Sequence, residues 1–245
     1  MSAGPPKGYS RLVVGRTQAV GANHLAETFR EVLRGQTLYA FAEEHPQARA
    51  LPGRGVAFAV PMGTERVVVR HNRHGGLFAP FTGDLFVAPT RAPLELQLSV
   101  RLADLGIRTP ALLGYAVYPG PLVWRRADVV TREVTESFDL GRALMSPDPE
   151  QRIAALTATA ALIRSLGVAR VRHEDLNVKN VLLAGSPQLD AWLLDLDRVR
   201  FDQIDPTRAN LNRLIHSARS WQEERGALVT ADELDGFQQA VLEGG

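Results

Sequence analysis

Three polar side chains suited to phosphoryl transfer lie at the edges of two short apolar segments. Asp175 and Asn180 precede the apolar run 181–183, and Asp195 follows directly on the run 192–194. An Ala-Gly-Ser-Pro turn separates the two runs, so we predict a hairpin. The hairpin would bring the three side chains together although 20 residues separate the two aspartates.

Phosphoryl transfer needs this set of side chains. One carboxylate orients the attacking hydroxyl and accepts its proton, while an amide and a second carboxylate supply hard oxygen ligands to Mg²⁺. A single D-L-x-x-x-N pattern is also typical of a capped turn. The second acidic segment after the hairpin favours catalysis.

The segment His-Glu-Asp-Leu-Asn-Val-Lys-Asn at 173–180 resembles the catalytic loop H-R-D-L-x-x-x-N of protein kinases. Leu194-Asp195-Leu196-Asp197 is placed where that family carries D-F-G. The resemblance implies that Asp175 is the catalytic aspartate and that Asn180 and Asp195 bind Mg²⁺. We expect His173 to brace the loop rather than transfer protons. Asp197 is either a further metal ligand or the partner of a nearby base such as Arg198.

A narrower resemblance extends from about Gly53 to about Ser220. The motif H-x-D-L-N-x-x-N with L-x-D-x-D-R is similar to the lipopolysaccharide core kinases, specifically the 3-deoxy-D-manno-octulosonic acid (Kdo) kinases. Residues 69–77 resemble the R-H-Y-x-x-G-G segment of that family, and residues 210–214 resemble its N-L-x-R-L helix. The resemblance implies an ATP- and Mg²⁺-dependent kinase that phosphorylates Kdo on a lipid A precursor at the cytoplasmic face of the inner membrane.

The candidate ATP-binding residues precede this segment. Gly53 and Gly55 could wrap phosphates with backbone N–H groups, although G-x-G is equally typical of an ordinary turn. Arg70 follows Val67-Val68-Val69 at the place of the usual kinase lysine. Arginine keeps the charge but has a planar, forked head group. We predict Glu95 as its ion-pair partner.

A cluster of basic residues surrounds Arg70, and an aromatic loop follows it. The cluster consists of Arg66, Arg70, His71, Arg73 and His74. It is either a solvated strand end or an anion site for ATP, Kdo or lipid A phosphates, in which His71 and Arg73 would contact the acceptor. Phe78, Phe81, Leu85 and Phe86 are either core residues or a lipid-facing lip.

Periodicity predicts the elements that position these residues. The opening segment to about Val20 is expected to be loosely structured. The strong helix start at Asp148-Pro149 and the stripe Leu94, Leu98, Leu102 and Leu105 are the clearest helix signals. The predicted helices are 23–34, 38–48, 91–105 and the segment after 148, and the predicted strands are 56–60, 67–69, 112–118, 122–130, 181–183 and 192–194.

These elements predict an α+β, protein-kinase-like, two-lobed fold, with a small antiparallel sheet followed by a mainly helical lobe. We expect residues 1–50 to form a partly helical extension, 51–132 the first lobe and 133–245 the second. The lobe boundary is placed near residues 131–140.

Composition limits the class of protein and its surroundings. The chain has 245 residues, a net charge of +1 and no cysteine. Bulk charge predicts no nucleic-acid binding, and disulfides are excluded. Because neither a signal peptide nor a spanning segment is recognised, we expect a cytoplasmic protein that contacts the inner membrane only at its surface.

Three hypotheses follow from the sequence. The first is a lipopolysaccharide sugar kinase. The second is a kinase of the same fold that acts on another small molecule or on a protein. The third is a nucleotide-binding pseudokinase, motivated by Arg70 and the sparse glycine loop, although Asp175, Asn180 and Asp195 are all present.

Overall fold

The computed structural model describes residues 4–51, 55–71, 86–87, 91–120 and 124–243. The chain divides into two compact units. The first comprises Met1–Val100 and Ala111–Glu133, and the second comprises Arg101–Pro110 and Val134–Gly245.

An antiparallel sheet forms the centre of the first unit. Its strand order is β1-β2-β7-β8-β5-β4-β3, and β6 also pairs with β8. The predicted hairpin of β4 and β5 is present, with Phe58 opposite Val69. The strands are β1 (Tyr9–Val14), β2 (Thr17–Ala22), β3 (Arg49–Leu51), β4 (Ala57–Met62), β5 (Glu65–His71), β6 (Phe86–Val87), β7 (Leu112–Pro119) and β8 (Trp124–Arg132).

Helices cover both faces of this sheet. The helices are α1 (Ala26–Gly35), α2 (Leu38–Glu44) and α3 (Ala92–Asp104). One buried cluster includes Phe29 of α1, Leu38 of α2 and Val69 of β5. A second cluster joins Leu96 of α3 to Val129 of β8. Apolar burial thus fixes α2 to β5, the strand that carries both Arg70 and His71, and α3 to the neighbouring strand β8.

Most of the described part of the opening segment forms β1 and β2, so the prediction of a loose segment to about Val20 is wrong. Gly15, at φ 57°, makes the tight turn between β1 and β2. β2 pairs with β7, so these strands belong to the same sheet as the rest of the unit rather than to a separate extension over residues 1–50. Helix α2 ends at Glu44, short of the predicted 48, because His45 precedes Pro46 and adopts extended backbone angles.

The buried face of α3 differs from the predicted leucine stripe. Leu98 and Leu102 are buried, but Leu94 and Leu105 are about half exposed, at 51% and 45%. Glu95 is buried in their place, at 4% exposure. The face is rotated because Glu95 points inward to an arginine of the sheet, as described below.

The second unit is mainly helical. It contains a small sheet in the order β12-β11-β9 and a separate pair of strands, β10 and β13. Its elements are β9 (Phe138–Asp139), α4 (Leu140–Leu144), α5 (Pro149–Val168), β10 (Val171–His173), β11 (Val181–Ala184), β12 (Asp190–Leu193), β13 (Val199–Phe201), α6 (Thr207–Arg225) and α7 (Ala231–Glu243).

Helix α5 is the buried centre of this unit. Asp148 caps it as predicted, because its side chain accepts a hydrogen bond from Glu150 N at 2.9 Å. Leu156, Ala160 and Ile163 are buried. Within the described part of the chain, no helix combines the length and the apolar character that a membrane span requires.

Candidate active site

The loop from Asp175 to Asn180 is closed by side-chain amides. Asn180 Nδ2 donates to the backbone oxygen of Asp175 at 2.8 Å, and Asn177 Nδ2 donates to the same oxygen at 2.9 Å. Asn177 Oδ1 accepts from Lys179 N at 3.0 Å. Because the amide nitrogen of Asn180 is used within the loop, its Oδ1 is the atom with which this side chain would bind a cation.

The hairpin of β11 and β12 brings Asn180 next to the Asp195 segment, as the sequence predicted. Val181 is opposite Leu193, and Leu194 N donates to Asn180 O at 2.9 Å. Asp195 follows directly with left-handed backbone angles of φ 61° and ψ 55°. Aspartate and asparagine tolerate this conformation better than most residues. The turn directs the chain from β12 into a short 3₁₀ turn at Leu196–Arg198.

His173 ties the loop of Asp175 to the segment of Asp195. The residue is fully buried. Its Nε2 lies 3.0 Å from Leu194 O and 3.1 Å from Asp195 O, and its Nδ1 accepts a hydrogen bond from Asp175 N at 3.2 Å. Since carbonyl oxygens accept only, Nε2 carries the proton and Nδ1 is the acceptor. This geometry supports the bracing role expected for His173.

The environment of His173 favours its neutral form. Burial lowers the pKa of the imidazole below its ordinary value, although the hydrogen bonds to Leu194 O and Asp195 O and the nearby Asp175 charge act in the opposite direction. A neutral ring has one donor and one acceptor, which is the combination that the three contacts require.

Helix α6 supports the loop through two residues whose roles the sequence reasoning missed. Asn210 is fully buried; its Oδ1 accepts from His173 N at 3.0 Å and its Nδ2 donates to Val171 O at 2.9 Å. Ser217 Oγ accepts from Val178 N at 3.2 Å. One sequence feature could have revealed the role of Asn210. This asparagine lies in a buried stripe that also contains Leu211 and Leu214, where a polar side chain needs hydrogen-bond partners inside the protein.

The start of α4 holds the other side of the loop. Gly141 N donates to Val178 O at 3.2 Å, and Asp139 Oδ2 pairs with Lys179 Nζ at 3.0 Å. A side chain at position 141 would collide with Trp221, because a Cβ there would lie 2.5 Å from its ring. The segment 177–179 is therefore held between α4 and α6 by backbone and side-chain hydrogen bonds.

Asp197 lies two residues beyond Asp195 and is mostly buried, with 14% of its side chain exposed. Its Oδ2 is 4.0 Å from Arg198 Nε, at the limit of an ion pair. The structure therefore contains the contact with Arg198 that the sequence suggested. A role of Asp197 as a metal ligand stays a prediction.

Arg70 and Glu95 form the predicted ion pair in the first unit. Arg70 Nη2 donates to Glu95 Oε2 at 2.5 Å. The side chain of Glu95 is 5% exposed and that of Arg70 is 38% exposed. The pair joins the end of β5 to the first turn of α3. The buried carboxylate thus fixes the arginine while part of the guanidinium remains accessible.

His71 lies on the opposite face of β5, because adjacent strand residues point to opposite faces. Its ring stacks on Tyr39 of α2, with centroids 3.6 Å apart. Its Nδ1 lies 2.7 Å from Asp128 Oδ1, and the fully buried Asp128 also accepts from Tyr39 N at 2.9 Å. This arrangement supports bracing rather than acceptor contact for His71.

Some of the remaining candidates of the first unit lie outside the described residues, and the others are described by the structure. Gly53, Arg73, His74 and the aromatic residues 78, 81 and 85 lie outside the described residues, and Gly55 is in a bend before β4. Arg66 Nε pairs with Glu133 Oε2 at 2.7 Å. Three members of the basic cluster, Arg66, Arg70 and His71, therefore have acidic partners, which argues against an open anion site formed by those three.

The donor set of the second unit fits Mg²⁺. Asn180 Oδ1 and the Asp195 carboxylate are hard oxygen donors at the same end of one hairpin. Among the residues that the structure describes, no three His, Cys, Asp or Glu side chains cluster as a metal site. Two protein ligands match the usual Mg²⁺ site of kinases, where substrate phosphates and water complete the coordination.

Comparisons with known proteins show the family to which this chain belongs. The sequence model of the lipopolysaccharide kinase (Kdo/WaaP) family matches residues 42–233. The 3-deoxy-D-manno-octulosonic acid kinase of Vibrio cholerae is 30% identical over 179 residues, which are 70% of this chain and 72% of that protein. The enzyme of the same name from Photobacterium profundum is 31% identical over 182 residues, 71% and 72% of the two chains.

A solved structure described as WaaP in complex with acyl carrier protein has a similar fold. It superposes with a TM-score of 0.54 over 88% of this chain and 86% of that one, at 18% identity. The α+β, protein-kinase-like fold predicted from the sequence is confirmed. The family match covers the loop 173–180, the hairpin that follows it and all of α6, and it confirms the resemblance on which the sequence reasoning relied. The chain belongs to the lipopolysaccharide kinase (Kdo/WaaP) family of phosphotransferases.

Proposed function

We propose that this chain transfers the γ-phosphate of ATP to a hydroxyl of Kdo on a lipid A precursor. The observation that carries the proposal is the joined arrangement of Asp175, Asn180 and Asp195. His173 contacts the backbone of Asp175 and of Asp195, and Asn180 closes the loop on Asp175 O. The names of the relatives, all Kdo kinases, support the acceptor.

Each residue has a distinct role in this proposal. Asp175 orients the acceptor hydroxyl and accepts its proton as the oxygen attacks phosphorus. Asn180 Oδ1 and the Asp195 carboxylate hold Mg²⁺, which supplies charge neutralisation at the phosphates when bound. Arg70, fixed by Glu95, contacts ATP phosphates as the kinase lysine does, and the backbone N–H group of Gly55 contributes to the same site, while Gly53 lies outside the described residues.

The acceptor also determines where the reaction takes place. A lipid A precursor is anchored by acyl chains, so the enzyme must reach its sugar at a membrane surface. We place the chain at the cytoplasmic face of the inner membrane, where ATP is available, as a peripheral protein.

The test is transfer of labelled γ-phosphate from ATP to a Kdo-bearing lipid A precursor. Asp175→Asn should lower the rate by about 100- to 10,000-fold, since that is the usual contribution of a general base. Glu174→Gln is the matched control: Glu174 is the preceding acid, and its carboxylate pairs with Arg200 at 2.7 Å. This variant should retain near wild-type transfer.

Three results would redirect the proposal. Equal transfer by Asp175→Asn and Glu174→Gln would remove Asp175 from catalysis. Absence of label in the glycolipid, with Mg²⁺-dependent ATP binding intact, would indicate a kinase for another acceptor. Failure to bind ATP at millimolar concentration would contradict both kinase hypotheses.

A further inference from the structure

Helix α6 has a basic exposed side. Residues 207–222 contain three arginines, Arg208, Arg213 and Arg219, and no Asp or Glu. All three are exposed. Within the part of the chain that the structure describes, none of the three forms an ion pair, whereas Arg152, Arg172 and Arg200 of the same unit each have a carboxylate partner.

Only one of the three arginines shares a helix face with the residues that contact the loop 173–180. Arg213 is three residues after Asn210 and four before Ser217. Residues three and four apart share a face of a helix. Asn210 forms hydrogen bonds with the backbone of Val171 and His173, and Ser217 accepts one from the backbone of Val178. This face therefore borders the loop that carries Asp175.

The other two arginines lie around the helix from that face. Arg208 precedes Asn210 by two residues, and Arg219 follows Ser217 by two residues. Two residues correspond to about 200° of rotation in an α-helix. The same helix therefore offers one exposed guanidinium on that face and two on the side away from it.

We infer that Arg213 binds an anionic group of the acceptor and thereby positions its hydroxyl at Asp175. This inference rests on the proposed function. A guanidinium matches both carboxylate and phosphate through two parallel hydrogen bonds. A Kdo-bearing lipid A precursor offers both: the carboxylate of Kdo and the phosphates of lipid A. Arg213 is thus a specificity residue of the second unit, and ATP binding does not depend on it.

The experiment compares Arg213→Gln with Arg219→Gln, which removes the same charge from the far side of the same helix. Arg213→Gln should raise KM for the acceptor about tenfold, the loss expected for a charge-assisted hydrogen bond, and leave KM for ATP unchanged. Arg219→Gln should leave both constants near wild type, and Arg213→Lys should recover part of the loss. Unchanged melting temperatures would exclude a merely structural effect.

A second arm identifies the anionic group. With an acceptor from which the lipid A phosphates have been removed, the difference between Arg213→Gln and wild type disappears if Arg213 binds phosphate. It persists if Arg213 binds the Kdo carboxylate. Equal acceptor KM values for Arg213→Gln and Arg219→Gln on both acceptors would overturn the inference.

A binding arm separates this inference from the proposed function. If wild type transfers no phosphate to the glycolipid, the proposed function fails. Co-sedimentation of the same variants with detergent micelles that contain the Kdo-bearing lipid A precursor then decides the inference alone. Weaker binding of Arg213→Gln than of Arg219→Gln supports it, and equal binding contradicts it.

Discussion

The two units fix their functional residues by different physical means. In the first unit, contacts between polar side chains hold the residues in place: Arg70 pairs with Glu95, and His71 Nδ1 contacts Asp128 Oδ1. In the second, the buried neutral side chains of His173 and Asn210 hold the backbone of the loop. The difference matches the proposed tasks. A cation that contacts ATP would need only its counter-ion, whereas carboxylates that act as base and metal ligand would need a backbone fixed by other groups.

The largest effect should come from the carboxylate that we assign to Mg²⁺. Asp195→Asn keeps the side-chain size and tolerates the left-handed backbone at this position, whereas alanine would add strain. We expect turnover to fall by at least about 100-fold, as for the loss of other groups that stabilise transition-state charge. Steady-state kinetics at several Mg²⁺ concentrations measure this effect, and thermal unfolding checks that the fold is intact.

Asp197→Asn is the matched comparison for Asp195. Its carboxylate lies 4.0 Å from Arg198 Nε, at the limit of an ion pair, so we expect Asp197 to brace the segment and turnover to fall far less than in Asp195→Asn. A loss equal to that of Asp195→Asn would make Asp197 a second metal ligand. Turnover near wild type in Asp195→Asn would remove Asp195 from the metal set.

The next effect tests whether the ion pair of the first unit serves ATP. Arg70→Met removes the charge but keeps an unbranched side chain, and we expect KM for ATP to rise about tenfold, the loss of one charge-assisted contact. KM for the acceptor should stay the same. Arg66→Met is the control, since Arg66 is on the same strand and pairs with Glu133 instead of Glu95. Equal effects of the two variants would show that Arg70 only stabilises the sheet.

The sequence predicted the arrangement of the candidate site residues better than the contacts that support them. Asp175, Asn180 and Asp195 were expected to lie around one hairpin because that signal is local, and the structure has this arrangement, while their catalytic roles stay predictions. The partner of Arg70 was found because Glu95 is an acid in a helix that follows the strand. Asn210, Ser217 and Asp128 were missed because their partners are distant in sequence: His173 and Asn210 are 37 residues apart, and Tyr39 and Asp128 are 89 apart.

The fold shows the same limit. Alternation and caps located α3, α5 and the β4–β5 hairpin, since these signals are local. The strands β1 and β2 were not recognised. They form a hairpin with each other, and only the pairing of β2 with β7, almost 100 residues later, joins them to the sheet: Val20 is opposite Tyr115. The face of α3 was misplaced because Glu95 is buried only through its pairing with Arg70 of another element.

The smallest expected effects concern stability and contrast one ion pair from each unit. In the second unit, Glu233 pairs with Arg152 and also caps α7 by accepting from Thr230 N at 2.8 Å; both side chains are nearly buried, at 10% and 7% exposure. In the first unit, Glu65 accepts two hydrogen bonds from Arg132, whose side chain is 51% exposed. Glu65→Gln should lower the free energy of unfolding by at most about 1 kcal/mol, and Glu233→Gln by severalfold more.

The pH dependence of unfolding should show the same contrast. Hydrogen bonds from the partner arginine lower the pKa of both Glu233 and Glu65 below the ordinary value. A carboxyl whose folded pKa is lowered stabilises the protein above its unfolded pKa, near 4.5, and this stabilisation is lost as the pH falls through the folded pKa. Urea unfolding between neutral pH and pH 3 should therefore show less acid sensitivity in Glu233→Gln than in wild type, with Glu65→Gln in between. The opposite order would mean that the exposed pair of Glu65 contributes more to stability than the nearly buried pair of Glu233. That result would contradict the argument that solvent weakens the exposed pair.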